Sequence, residues 1–398
     1  MKKPVIVGNG KKKNNDKSKN NPGKKKAGII TVLSVLVIFL LTGITYIFGG
    51  FEAIDYFLFY RHCTIDATVI SDGSFPVSFS GNDIVATEKI SSKMFVLTKK
   101  LLTCISYKGR VLYTESFTFV EPDMKTGDKY GVVFDRGSAK YIIFDAYGIV
   151  YEGTTEDNRY IITADVDSKG NCVLATKSDD SACRVYMVDK NGETKYIWSC
   201  ADEYAVCLDV SKDSKQIICG TIGAYSNEIY TKVYCLDVYS DSGVKDFKIS
   251  GTGCVDVSSI DKNSVMVDCT DKRVLLNTDT ADGSPVEVSF PGKAVLMSTD
   301  GNGNLAVVTE RHNSFENGEI TLYDSSNSVV FRCEAPEDVH KILCSKKKVY
   351  CLTDSKVITC NGQPEEDTVF ECDVFGEGLI ELRGKIYYHS TDRVKKAF

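Results

Sequence analysis

The sequence predicts an all-β chain, an eight-bladed β-propeller standing behind one N-terminal transmembrane helix. Four observations predict it. Downstream of residue 70 the chain reads as short runs of Val, Ile, Tyr, Phe, Leu and Cys, punctuated by Gly, Asn, Asp and Ser turns. No stretch there keeps a 3.6-residue apolar period over three turns. A strand–turn–strand unit recurs through that region with a mean spacing of about 42 residues. Finally, no charged residue lies between Ala27 and Phe51, and 29–48 is a nearly unbroken apolar run. A hydrophobic content of 43% with 26% charged residues excludes disordered, collagen-like and small disulfide-scaffold proteins.

The first element is a basic tail, residues 1–27, with ten lysines and one acid, whose stretch 11–26 is of low complexity and almost free of hydrophobic residues. It cannot bury enough surface to fold. The formal net charge of −6 averages this tail, about +9, with a remainder of about −15. Lys24, Lys25 and Lys26 abut the apolar run. Membrane-proximal lysines set topology and lie against anionic lipid, at about 1 kcal/mol each. The acidic remainder disfavours nucleic acid and anionic polymers.

The second element, residues 28–48, is long enough to cross the ~30 Å hydrocarbon core as a helix. Thr31, Ser34, Thr42 and Thr45 fit such a helix by bonding their own i−4 carbonyls. A cleaved signal peptide would have a shorter apolar core and a small-residue cleavage site, whereas Gly49-Gly50-Phe51-Glu52 follows here. The lysines keep the N-terminus in the cytoplasm and send the C-terminal body across the plasma membrane, a type II single-pass arrangement. Residues 49–70 form the third element, a juxtamembrane stalk whose Phe48, Phe51, Tyr56, Phe57, Phe59 and Tyr60 suit the membrane interface. Apolar positions 51, 54, 57 and 58 keep helical spacing, so a helix is expected to continue there.

The fourth element, residues 71–398, carries the repeats. An apolar strand ends near Asp and turns through Gly or Asn into another apolar strand, as in Ile142-Ile143-Phe144-Asp145-Ala146-Tyr147-Gly148. These turns fall at 109, 148, 192, 243, 283, 327 and 362. A four-stranded unit of about 42 residues is the size of a propeller blade. In the third unit the strands are expected at 161–167, 172–177, 184–189 and 194–199, from innermost to outermost. Seven complete units run from about 82 to 373, and an eighth supplies three strands, 378–382, 385–389 and 394–398. The segment 71–79 matches the outer strand of the fifth unit, 281–290, and pairing it with the last three strands would close the ring. Seven blades with a frayed tail is the alternative count.

The segment Leu296-Met297-Ser298-Thr299-Asp300-Gly301-Asn302-Gly303-Asn304-Leu305-Ala306-Val307 resembles the strand-turn-strand signature of WD40-like and other bacterial propeller repeats. In its whole layout, and in the aromatic segment 55–63 ahead of the repeats, the chain also resembles a bacterial family of single-pass, membrane-anchored proteins with propeller-like ectodomains. That resemblance implies no activity.

Motifs for chemistry are few. There are 15 cysteines, an odd number, with no C-x-x-C and no His at zinc-ligand spacing. Fourteen fall within expected strands, where a free Cys serves as a small hydrophobe, so mainly reduced core residues are expected. Asp300-x-Asn302-x-Asn304 starts like a calcium loop, but Leu305 and Arg311 stand where Gly and Glu are needed, and a hairpin turn is the expected role. Asp165-x-Asp167 fails likewise. His62, His312, His340 and His389 are scattered, Trp198 is the sole tryptophan, and no Gly-rich phosphate loop opens a helix. Quinoprotein and sialidase propellers repeat tryptophan motifs, so neither resemblance applies. No catalytic residue, cofactor or metal ligand is therefore nominated.

Binding surface remains. Two connections between second and third strands read as long loops, 221–228 and 311–319, and long loops on a rigid ring are where binding concentrates. Tyr225, Asn227, Arg311, His312 and Phe315 are interface-anchoring types within them. The expected function is a membrane-tethered extracytoplasmic module that binds or scaffolds a protein or a neutral glycan at the cell envelope, without catalysis. The rival is an envelope hydrolase or lyase using acids that converge in the propeller funnel.

Overall fold

The computed structural model describes residues 31–40, 43, 55–156, 158–240, 243–278, 285–310, 318–363 and 366–398. It falls into two compact units, 1–61 and 62–398. In the first unit, 31–40 and Gly43 are helical, and Tyr56–Tyr60 is a single π-helical turn. The helix expected to continue along the stalk is therefore described only as that turn. Among the described residues no helix is long and apolar enough to cross a membrane, and much of the expected span 28–48 lies outside them. Lys24, Lys25 and Lys26 lie outside them as well.

The second unit is eight antiparallel sheets. We number them as blades 1 to 8, spanning 84–116, 122–154, 161–200, 204–250, 254–289, 294–334, 341–371 and 378–396. Blades 1 to 7 each place four strands in sequence order. In blade 3 the observed strands, Ile161–Val166, Cys172–Thr176, Cys183–Val188 and Thr194–Cys200, fall within one residue of those expected. The innermost strands of blades 8 and 1 are neighbours, so the ring is closed with eight blades and not seven.

Blade 8 is closed from the front of the chain, as the sequence match suggested. Val77–Phe79 pairs with the last strand, Arg393–Lys396, through Val77 opposite Val394 and Ser78 opposite Arg393. One detail differs. Val77–Phe79 is not the outer edge, because Val69–Ile70 pairs outside it and makes a five-stranded sheet. Bonds from Phe79 N to Asp392 O (2.7 Å) and from Ser80 N to Thr68 O (2.8 Å) fix both junctions. Without this segment the sheet would end on an unpaired edge.

The apolar core lies between the blades. Val77, Phe79, Met94, Val96, Leu101, Tyr387 and Val394 form one cluster from both ends of the chain and blade 1. Similar clusters join blades 3 with 4 and 4 with 5. Second strands are buried on both faces, as in Lys93–Thr98, Cys172–Thr176 and Leu305–Thr309, so they read as continuous apolar runs. Outer strands alternate, and Thr194–Cys200 alternates half-buried with exposed residues and ends on the buried Cys200.

Thirteen of the fifteen cysteines lie in strands, with Cys63 and Cys372 outside, one fewer in strands than expected. Twelve of the fifteen are buried, matching the core-filling role. Asp300 closes its own hairpin: Oδ1 accepts from Asn302 N (2.9 Å) and Asn304 N (3.2 Å), and Oδ2 from Asn304 Nδ2 (2.7 Å). Asp167 repeats this with Lys169 N, Asn171 N and Asn171 Nδ2 at 2.8, 2.9 and 2.6 Å. These carboxylates are occupied by their turns.

Candidate functional site

Two regions of the ring carry chemistry, the central channel and an arm on blade 4. The channel is built by the innermost strand of each blade. In blades 1, 3, 4, 5 and 6 the pairing of that strand with the second skips one residue near its start. The skipped residues are Val85, Ile162, Val206, Val255 and Val295. Each is a β-bulge that turns an aliphatic side chain out of the ladder. Val85, Val206, Val255 and Val295 are 37–47% exposed although they lie on the innermost strands, which places them against the open channel as an apolar collar.

Three residues beyond each bulge stands a polar side chain: Glu88, Asp165, Asp209, Ser258 and Ser298. Most of this belt fastens one blade to the next. Glu88 Oε2 accepts from Thr126 Oγ1 (3.2 Å), Asp165 Oδ2 from Val210 N (3.2 Å), Asp209 Oδ2 from Ser259 N, and Ser298 Oγ from Cys344 N (3.0 Å). Glu381 of blade 8 takes the Lys89 ammonium at 2.7 Å in the same sense. One rule thus operates at five of eight junctions: a side chain in one inner strand accepts from the inner strand of the next blade.

Charged side chains gather on the inner strands of blades 1 to 5. Burial pushes the Glu88 and Asp256 carboxyls above the ordinary carboxylate range. Burial, and then the Asp209 charge beside it, push Asp165 well above that range, while Asp209 is pushed up to about 6, chiefly by burial. Burial works against the Lys125 ammonium, yet Asp256, Glu88, Asp165 and Asp123 together hold its pKa above the ordinary lysine value. Those four acids come from blades 5, 1, 3 and 2, so Lys125 reaches into the channel as their shared counter-ion. Among the described residues, no three His, Cys, Asp or Glu are gathered to hold a metal ion.

A second ionic pair lies inside blade 5. Arg273 Nε meets Asp268 Oδ1 at 2.8 Å, and both side chains are buried. Burial raises the Asp268 carboxyl to about 6 despite that partner. Arg273 Nη1 also donates to Asp324 O of blade 6 at 3.3 Å.

The blade 4 arm corrects the sequence reading. The segment 221–228, expected as a long loop, belongs to two ten-residue strands, Gln216–Tyr225 and Glu228–Asp237, paired without interruption. Among the described residues, second and third strands elsewhere have four to six residues. Four extra residues at ~3.3 Å each lengthen this hairpin by about 13 Å. The loop reading failed because Gly223, Ala224 and Ser226 look like turn residues, while only Ser226 and Asn227 turn, with φ of 50° and 67°. Tyr225, 75% exposed, and Asn227 stand at the tip. Tyr204, Ile222, Ala224 and Ile229 share one face, and all but the half-buried Ile222 are exposed.

The root of the arm is fixed. Glu203, buried in the link between blades 3 and 4, accepts from Tyr234 Oη (2.8 Å), Tyr230 Oη (3.0 Å) and Cys200 Sγ (3.2 Å). Burial raises its pKa, and these three donors more than offset that, holding it below the ordinary glutamate value. Lys248 sits 4.2 Å from the centre of the Tyr230 ring. Of the other nominated residues, Arg311, His312 and Phe315 lie outside the described residues. The channel belt and its bulges were not nominated from the sequence; aligning the inner strands on Asp165 and Asp209 would have revealed them.

No curated protein sequence matches this chain. The ring is similar to BamB from Moraxella catarrhalis, with a TM-score of 0.51 and 12% identity over 82% of this chain and 98% of that one. It is also similar to Sqt1 from Saccharomyces cerevisiae, with a TM-score of 0.56 and 11% identity over 83% of this chain and 100% of that one. At such identities the likeness concerns the propeller fold alone. A model of the family of unknown function DUF5711 matches residues 76–375, from the closing strand to the end of blade 7, and the chain belongs to that family.

Proposed function

We propose that this protein is a single-pass, membrane-tethered propeller of the bacterial cell envelope that binds or scaffolds a protein or a neutral glycan without catalysis. In this reading 28–48 spans the plasma membrane, Lys24, Lys25 and Lys26 lie against anionic lipid, and the ring stands outside the cell. The observation that carries the binding role is the blade 4 arm. It is about 13 Å longer than its counterparts, rooted on Glu203, and presents Tyr225 at 75% exposure. A rigid support beneath an exposed aromatic lowers the ordering cost of binding. Arg311, His312 and Phe315 of blade 6 are proposed to contribute to the same function.

The second reading, a hydrolase or lyase, is favoured by one observation, the neighbouring Asp165 and Asp209 with their raised pKa values. Against it, both carboxylates already accept backbone amides of the next blade, and Lys125 is drawn into their field.

A photo-reactive residue in place of Tyr225, in the full-length chain in native membranes, tests the binding role. The control is the same residue at Tyr239, which is 78% exposed at the blade 4 outer turn. Irradiation is expected to give a discrete adduct from position 225 and none from 239. Equal adducts at both positions, or none at 225, would refute the role of the arm.

A further inference from the structure

The fifteen cysteines are mostly core filler, but one pair departs from that role. Cys207, in the innermost strand of blade 4, and Cys254, at the start of the innermost strand of blade 5, bring their sulfurs within 3.3 Å. Gly220 of blade 4 makes room for both: a Cβ there would meet Cys207 Sγ at 2.5 Å and Cys254 Sγ at 2.9 Å. The contact is thus accommodated by the residue beneath it.

We propose that Cys207 and Cys254 form a redox cross-link site, closing to a disulfide between blades 4 and 5 when a low-molecular-weight disulfide reaches them from the channel.

Three comparisons single this pair out. Cys351 and Cys360 approach only to 3.8 Å and are 0% and 2% exposed. Cys183 and Cys200 stand opposite each other in blade 3 and their thiols interact, but each is also held by Glu203, through its carbonyl oxygen at 3.5 Å and its carboxylate at 3.2 Å. Cys207 and Cys254 are each 6% exposed, and each adjoins a collar residue, Val206 or Val255, that is open to the channel. Small oxidants therefore have a route to this pair.

The chemistry is a double exchange. One protein thiolate attacks the small disulfide, forming a mixed disulfide and releasing one small thiolate. The second protein thiolate then displaces the other half, forming the Cys207–Cys254 bond. The two protons lost by the protein pass to the two released thiolates, so two protein thiols are oxidised as one disulfide is reduced to two thiols. The contact with Cys254 pulls the Cys207 thiol down, and burial together with the Asp256 charge and the neighbouring Cys219 more than offsets it, while Cys254 is raised by its contact with Cys207 and by burial. The thiolate fraction is small, and closure accelerates as pH rises.

The test uses the full-length chain in detergent, purified under reductant, then freed of it and incubated with excess oxidised glutathione. After denaturing alkylation, the expected count falls from fifteen free thiols to thirteen, with a Cys207–Cys254 cross-linked peptide that a dithiol reductant abolishes. Cys254→Ala, treated identically, is expected to give no cross-linked peptide and at most one mixed disulfide with glutathione, at Cys207. Retention of fifteen thiols by the wild type, or a link elsewhere with Cys207 and Cys254 alkylated, would overturn the proposal.

Discussion

Replacing Phe79 by alanine is expected to cost about 3–5 kcal/mol of folding stability, read from the urea midpoint of the full-length chain. Phe79 is fully buried among side chains that meet from both ends of the chain, including Met94, Val96, Tyr387 and Val394. Truncation removes a ring's worth of apolar contact and leaves a cavity beside the strand pair, Val77–Phe79 with Arg393–Lys396, that joins the two ends of the chain without a covalent link. Domains are stable by roughly 5–15 kcal/mol, so this single change removes a large fraction. Ile70→Ala is the matched control. Ile70 is 59% exposed on the outer edge of the same sheet, so its loss is expected to stay within about 0.5 kcal/mol. Equal midpoints for the two variants would mean that the N-terminal strand does not close the ring.

The second large effect is expected at Arg273. Replacing it by methionine leaves Asp268 buried beside an apolar chain, at a cost of about 3–5 kcal/mol near neutral pH. Adding Asp268→Val removes the stranded charge, so the double variant is expected to recover more than half of that loss. The pH dependence has a definite sign. Burial raises the Asp268 carboxyl in the folded protein, so the folded state holds its proton more tightly than the unfolded chain. Losing Arg273 raises it further. The deficit of Arg273→Met should therefore shrink as pH falls from about 8 to about 5, where the acid is protonated and needs no counter-ion. A deficit below about 1 kcal/mol near neutral pH would show that the pair is replaceable from one side.

The ring was legible in the sequence because its determinants are local and repeated. Apolar runs, Asp–Gly and Asn–Gly turns and a spacing of about 42 residues identify each blade on its own. Even closure was visible, since Ser71–Phe79 repeats the pattern of an outer strand. Other features were not. The arm hid behind Gly223 and Ala224, because strand propensity depends on pairing across the sheet more than on the residue itself. Four of the belt bonds join residues 38 to 50 positions apart and the fifth, Lys89 with Glu381, spans 292, so no short motif encodes them. The collar hid for a different reason: a bulge breaks the two-residue alternation, and Val206 and Val255 then read as ordinary interior valines. Likewise the Cys207–Cys254 contact depends on two blades and on the empty volume over Gly220.

The central claim is that the segment following the stalk completes blade 8 and so makes the ring one cooperative body. Native-state hydrogen exchange at the Phe79 amide, which donates to Asp392 O at 2.7 Å, tests this most directly. We predict that it exchanges only through global unfolding, at the same opening free energy as the amides of Lys385–His389 in the same blade. Exchange of Phe79 at the rate of an unprotected amide, with Lys385–His389 still protected, would contradict the account.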